Sequence, residues 1–183
     1  MSEIAAERVS SICHALDLPK CGQRRSVKMN VLSSASAEFN PADDLAFFNA
    51  VMLFRDVPEN DLKLIRQMMK HQSFAAGTTI LREGEPTNDL LIVREGTVSV
   101  YVTRDDKKIE ITRLGPTSYF GEMSVFDDYP RSANVDAVTD VRACRIDRDT
   151  FRSFVRSNPA VLFQMCTVFS HRLRNTNSVL TKR

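Results

Sequence analysis

Tryptophan is absent, histidine occurs only three times, and the four cysteines, Cys13, Cys21, Cys144 and Cys166, form no CxxC pair. A zinc ribbon or a thioredoxin-like redox site needs such a pair, so neither is expected, and free thiols suit a reducing compartment. His14, His71 and His171 are too scattered to build an HExxH helix or the His/Glu ligand set of a metal-dependent β-barrel enzyme. No catalytic residue and no metal ligand is therefore assigned. Long apolar runs are missing as well: Asn49 interrupts even the stretch from Ala46 to Phe54, far short of the ~20 residues that span a bilayer. Glu3, Glu7, Arg8 and Asp17 occupy the place where a signal peptide would need an apolar core, so a cytoplasmic protein without a membrane partner is expected.

What is present is an ordinary globular composition. The chain has 183 residues, 43% hydrophobic and 26% charged, enough for one domain with a sizeable core plus an appendage. Its net charge of +2 is unevenly spread. Residues 41–146 carry thirteen Lys/Arg against seventeen Asp/Glu, a balance of −4, whereas residues 147–183 carry seven against two, a balance of +5. The basic end includes Arg172, Arg174, Lys182 and Arg183, without interleaved aromatics or a helix-turn-helix. It is read as a solvated helix face, with no nucleic-acid-binding motif in this chain.

Residues 1–42 read as a tail, small and polar around Ser33–Ala37 and punctuated by Pro41. Val9, Ile12, Cys13 and Leu16 have the spacing of a short amphipathic helix, and Gln23–Val27 is basic. From Asp43, two apolar helical patterns follow, Leu45 to Phe54 and, after Pro58, Leu62 to Met69. Beyond His71 the period switches to two, with β-branched residues from Ile80 to Ile111 and glycine turns at Gly77, Gly84, Gly96 and Gly115. Two more strands fall near Ala133–Val138 and Val141–Ile146. Asp147 then suits an N-cap, and Asn158-Pro159 ends one helix and opens the last. Two helices, about eight short strands and two helices form an α+β chain whose middle is a β-roll or barrel.

Within the strands lies Phe120-Gly121-Glu122-Met123-Ser124-Val125, followed by Arg131-Ser132-Ala133. Glycine lets the chain approach a ligand closely, a short helix after it aims N–H groups at an anion, and arginine offers a planar fork for phosphate oxygens. A carboxylate beside a phosphate makes sense if the ligand also carries a hydroxyl. Either residue alone would suit a surface ion pair or a helix cap, with Asp127 and Asp128 a solvated turn.

Over residues 43–180 the sequence resembles the cyclic nucleotide-binding domain family, whose phosphate-binding cassette has the pattern Phe-Gly-Glu, a short apolar helix, then Arg, a small residue and Ala, and residues 43–183 are read as that domain with its C-terminal helix. The resemblance implies an eight-stranded antiparallel β-roll, jelly-roll-like, flanked by N-terminal helices and two C-terminal helices. It implies a regulatory module rather than an enzyme, with cAMP or cGMP as ligand, no cofactor, and an unidentified downstream protein. Phosphate and ribose would contact Gly121, Glu122, Met123, Ser124, Arg131, Ser132 and Ala133. By the same resemblance Ile111, Thr112, Thr176 and Asn177 would line the base. The chain departs from the family where Gly-Asp usually precedes the cassette. Thr117-Ser118 stand there, and a turn with φ > 0 would strain a β-branched Thr117.

In the last helix Leu162, Cys166, Phe169, Leu173, Thr176 and Leu180 recur at spacings of 4, 3, 4, 3 and 4, a heptad seam. A second row, Val161, Met165 and Val168, can meet the β-roll. The seam either packs internally or pairs with a second copy, making a homodimer through the last helix. The chain ends directly after this helix, so it is expected to hold no recognition helix for DNA.

Overall fold

The computed structural model describes residues 41–180, with side chains over 45–174. The helical spacing at Val9–Leu16 and the basic Gln23–Val27 lie outside the described residues, as does the tail except Pro41 and Ala42, which open the first helix. Helix α1 (Pro41–Ala50), a 3₁₀ turn (Met52–Phe54) and α2 (Glu59–Met68) precede the strands. The expected first apolar run is thus broken at Val51, whose N–H reaches back to Phe47 and Phe48. The break buries Val51, Leu53 and Phe54 together, which one continuous helix with these residues on different faces could not do.

Eight strands follow: β1 (Lys70–Phe74), β2 (Thr79–Leu81), β3 (Leu90–Glu95), β4 (Val98–Arg104), β5 (Lys107–Leu114), β6 (Tyr119–Phe120), β7 (Asn134–Ala137) and β8 (Val141–Ile146). Between β6 and β7 sits a short helix, α3 (Met123–Asp127), and the strands are followed by α4 (Arg148–Ser157) and α5 (Pro159–Leu180). The strands form two antiparallel four-stranded sheets, β1-β8-β3-β6 and β2-β7-β4-β5. This is the jelly-roll-like β-roll expected, with helices at both ends of the chain order.

Successive strand side chains point to opposite faces, and β3 shows the consequence. Leu91 and Val93 join Val98, Phe120, Val135 and Ala143 between the sheets. Leu90 and Ile92 instead join the helical core of Phe48, Phe54, Leu62, Phe151, Val161 and Met165. A strand buried on both faces must be apolar throughout, which accounts for the uninterrupted Leu90-Leu91-Ile92-Val93. The second sheet keeps a polar outer face, where Asp136 accepts hydrogen bonds from Thr79, Tyr101 and Lys108.

Helix α4 begins as its sequence implies. Asp147 accepts the Thr150 N–H at 3.0 Å, and Phe151 and Val155, one turn apart, are buried. In α5, Val161 and Met165 are fully buried and Val168 packs partly against the same core. Among the seam residues Leu162, Cys166 and Leu173 are exposed, whereas Phe169 packs partly on its own domain. Among the described residues no helix is long and apolar enough to cross a membrane.

Candidate functional site

The turn before the cassette carries the strain its sequence implied. Ser118 N–H bonds to Gly115 O at 3.1 Å, closing a turn with Pro116 second and Thr117 third, and Thr117 has φ 68°. Positive φ is ordinary for glycine at that position and costly for threonine. The turn delivers β6, after which Gly121 adopts φ +81°. Here glycine is required twice over, since a Cβ would stand 2.6 Å from Arg131 Nη1 and 2.8 Å from the Asp89 carbonyl oxygen.

Arg131 is only 3% exposed. Its Nη1 donates to the carbonyl oxygens of Asp89 (2.9 Å) and Gly121 (2.8 Å) and lies 2.9 Å from Ser124 Oγ. Its Nε donates to Thr87 Oγ1 at 2.8 Å. Burial lowers the guanidinium's pKa and the Asp89 carboxylate opposes that shift; an arginine side chain keeps its proton in folded proteins. Its Nη2 is buried and has no hydrogen-bond partner among the described residues. A buried cation with an unused donor is costly unless an anion completes it.

Glu122 is equally buried, at 3% exposure. Its carboxylate accepts from Arg172 Nη1 at 2.5 Å, and Arg172 Nη2 donates to the Tyr119 carbonyl oxygen at 2.7 Å. The Arg172 guanidinium also lies 5.2 Å from the centre of the Tyr119 ring, whose phenol burial pushes well above its ordinary pKa. Arg172 therefore does not belong to a solvated basic face. It ties the last helix to the cassette. The two aspartates that end the cassette helix are likewise not simply solvated: Asp128, at φ 63°, pairs with Arg148 and Arg152, and Asp127 accepts the Tyr129 N–H. Arg152 further donates to the carbonyl oxygens of Val125 (2.6 Å) and Phe126 (2.8 Å), capping α3 from α4.

The remaining sequence candidates fall into three groups. Met123, half exposed, opens α3 and meets the Ser132 hydroxyl at 3.4 Å, while Ser124 is buried against Arg131 and Ala133 follows half-buried. Thr112 lies opposite Val100, which lies opposite Val135, so Thr112 shares a row with the strand leaving the cassette. Ile111, exposed, is the extra residue of the bulge in β5. Thr176 and Asn177 fall within α5, but their side chains lie outside the described residues. The site partners that local motif reading overlooks are Thr87, Asp89 and Arg172, which reach it from 44, 42 and 50 positions away. Only Arg172 left a trace, as one of the basic residues of the last helix that the sequence places on a solvated face. Among the described residues no cluster of His, Cys, Asp and Glu could hold a metal ion.

Residues 71–158 match the model of the cyclic nucleotide-binding domain. The chain is 33% identical over 129 residues to a CRP-like cAMP-activated global transcriptional regulator of Mycobacterium tuberculosis, covering 70% of this chain and 58% of the regulator. It is 28% identical over 114 residues to the cAMP-dependent protein kinase type II regulatory subunit of Drosophila melanogaster, covering 62% of this chain and 30% of that one. The crystal structure of the Thermus thermophilus catabolite activator protein superposes with a TM-score of 0.65 at 26% identity, over 71% of this chain and 62% of that protein. This chain thus spans little more than half of the bacterial regulator it matches. Such relatives are regulators rather than enzymes, and residues 71–158 of this chain, Arg131 and Glu122 among them, belong to the cyclic nucleotide-binding domain family.

Proposed function

We propose that this chain is a cyclic-nucleotide sensor that prefers cAMP to cGMP and couples binding to movement of α4 and α5. The observation that carries the reading is the buried Arg131 with its unpartnered Nη2, aligned by Gly121 and Ser124. Phosphate completes the guanidinium. Glu122 accepts the ribose 2′-hydroxyl, and Ile111, Thr112, Thr176 and Asn177 line the base. Preference for cAMP is supported by the regulator and kinase subunit the chain resembles, whose names specify cAMP.

A ligand shifts a conformational equilibrium only through unequal affinity for its states. Arg172 supplies a route to such inequality, because the carboxylate that would meet the ribose already holds the last helix. Binding therefore changes what Glu122 offers Arg172, and α5 moves or stiffens. The output passes to a downstream protein in the cytoplasm, with the exposed α5 seam pairing two copies. Because the chain covers 58% of the bacterial regulator, a ligand-binding part of a transcription factor or of a kinase regulatory subunit is the second reading.

Calorimetric titration with cAMP, cGMP and 2′-deoxy-cAMP tests the proposal. One site per chain is expected, with cAMP tightest and the deoxy ligand weaker. In Glu122→Ala the cAMP-to-deoxy difference should disappear. No binding of either natural nucleotide would end the sensor reading, and a cGMP preference would reverse the base assignment.

A further inference from the structure

Arginine carries five N–H protons in one plane, and the fold uses those of Arg131 unequally. Nη1 is saturated by the carbonyl oxygens of Asp89 and Gly121. Nη2 is buried with no hydrogen-bond partner among the described residues. Nε and Nη2 lie on the same edge of the guanidinium, the edge that grips carboxylates and phosphates two oxygens at a time. On that edge Nε already meets an oxygen, Thr87 Oγ1, at 2.8 Å.

Thr87 does not reach this place by chance of a loose side chain. Its loop between β2 and β3 is fastened to the arginine's own backbone: Gly84 N–H bonds to Arg131 O, and Arg131 N–H bonds to Glu85 O, each at 2.9 Å. The far end of the loop is fixed by Asp89, whose carboxylate pairs with Arg145 while its carbonyl oxygen accepts from Arg131. Thr87 itself is exposed, so its hydroxyl stands at the outer end of a buried fork.

We propose that Thr87 is a phosphate-binding residue. Its hydroxyl accepts from Arg131 Nε and donates its own proton to one exocyclic oxygen of the cyclic phosphate, beside the contact from Nη2. A hydroxyl can do both at once, because it has one proton and two lone pairs. The loop thus reads the anion rather than only covering it. This inference rests on the sensor reading above.

The test uses Thr87→Val, which keeps the shape and removes the hydroxyl, and Thr87→Ser, which keeps the hydroxyl. Each is titrated with cAMP and with its two phosphorothioate diastereomers, where sulfur, a poor acceptor, replaces one or the other exocyclic oxygen. Thermal melts confirm that each variant is folded. Thr87→Val should bind cAMP about 10-fold more weakly, the usual loss for one hydrogen bond to a charged group. It should lose similarly for one diastereomer and little for the other, which has already forfeited that bond through sulfur. Thr87→Ser should resemble wild type. Unchanged cAMP binding by a folded Thr87→Val overturns the proposal. So does an equal loss for both diastereomers, which would make Thr87 merely a support for the guanidinium. If wild type binds no cyclic nucleotide, the sensor reading fails and takes this proposal with it.

Discussion

Arg131 is held by four protein hydrogen bonds, so replacing it acts on the fold as well as on binding. Arg131→Leu removes both the proposed phosphate contact and the donor that satisfies two main-chain carbonyls. Affinity for cAMP should fall by about 2–5 kcal/mol, roughly 30-fold to several-thousand-fold, in a protein that also melts earlier. Arg131→Lys is the sharper comparison, because lysine retains the charge without the planar geometry; it should stay weak in calorimetry if the fork matters. Thr117 gives a separate expectation. A left-handed β-branched residue costs about 1–2 kcal/mol and glycine's extra chain entropy about 0.5–1, so Thr117→Gly should stabilise by roughly 0.5–1 kcal/mol. A melt raised by about 2 °C, with cAMP affinity unchanged, would fit. Both residues were legible because their chemistry is local: the cassette spans Gly121 to Ala133, and the Thr117 strain follows from one turn. Thr87 and Arg172 were not, because their meaning depends on partners 44 and 50 positions away.

The two helices after the strands are each fastened by a charged side chain. Helix α4 starts at Asp147, whose pKa is lowered chiefly by the hydrogen bond from the Thr150 N–H. A carboxyl depressed in the folded state stabilises above its unfolded pKa of about 3.9, and that contribution fades as pH falls through the lower folded value. Asp147→Ala should therefore cost about 1 kcal/mol at pH 7, and the gap between the two proteins in urea titrations should narrow below about pH 4. Helix α5 is fastened differently, by Arg172 on a carboxylate that is 3% exposed. Arg172→Ala leaves that buried charge without its cation, which is destabilising, and frees the outer half of the helix. Hydrogen exchange should show faster amide exchange around Phe169–Arg174 while β3 and β8 keep their protection; no local change would argue against Arg172 as the tie. The helices, the strand count and the Asp147 cap could be anticipated from periodicity and capping residues. The interruption at Val51 could not, since burying Leu53 and Phe54 overrides a helical pattern that looks continuous.

Seen as a whole molecule, α5 serves two surfaces. Val161 and Met165 are fully buried in the helical core, while Leu162 and Leu173 remain 47% and 63% exposed, with Phe163 beside Leu162 at 72%. The heptad spacing left open whether the seam packs inward, and the fold divides it: Phe169 turns partly to its own core, and Leu162 and Leu173 face out. Apolar side chains of this size stabilise by about 1.5–3 kcal/mol when fully buried, before the cost of association is subtracted. Three of them per copy, Leu162, Phe163 and Leu173, would support a weak dimer rather than an obligate one. Leu162→Glu with Leu173→Glu should leave the circular dichroism and melt nearly unchanged, because neither residue belongs to the core. In sedimentation the wild type should shift toward dimer as concentration rises, and the double variant should stay monomeric. Since Arg172 precedes Leu173 and grips Glu122, pairing along this helix would bring two cassettes under one restraint, and cAMP should then strengthen or weaken the dimer. A wild type that sediments as monomer at every concentration, with and without cAMP, would confine the coupling to a single chain.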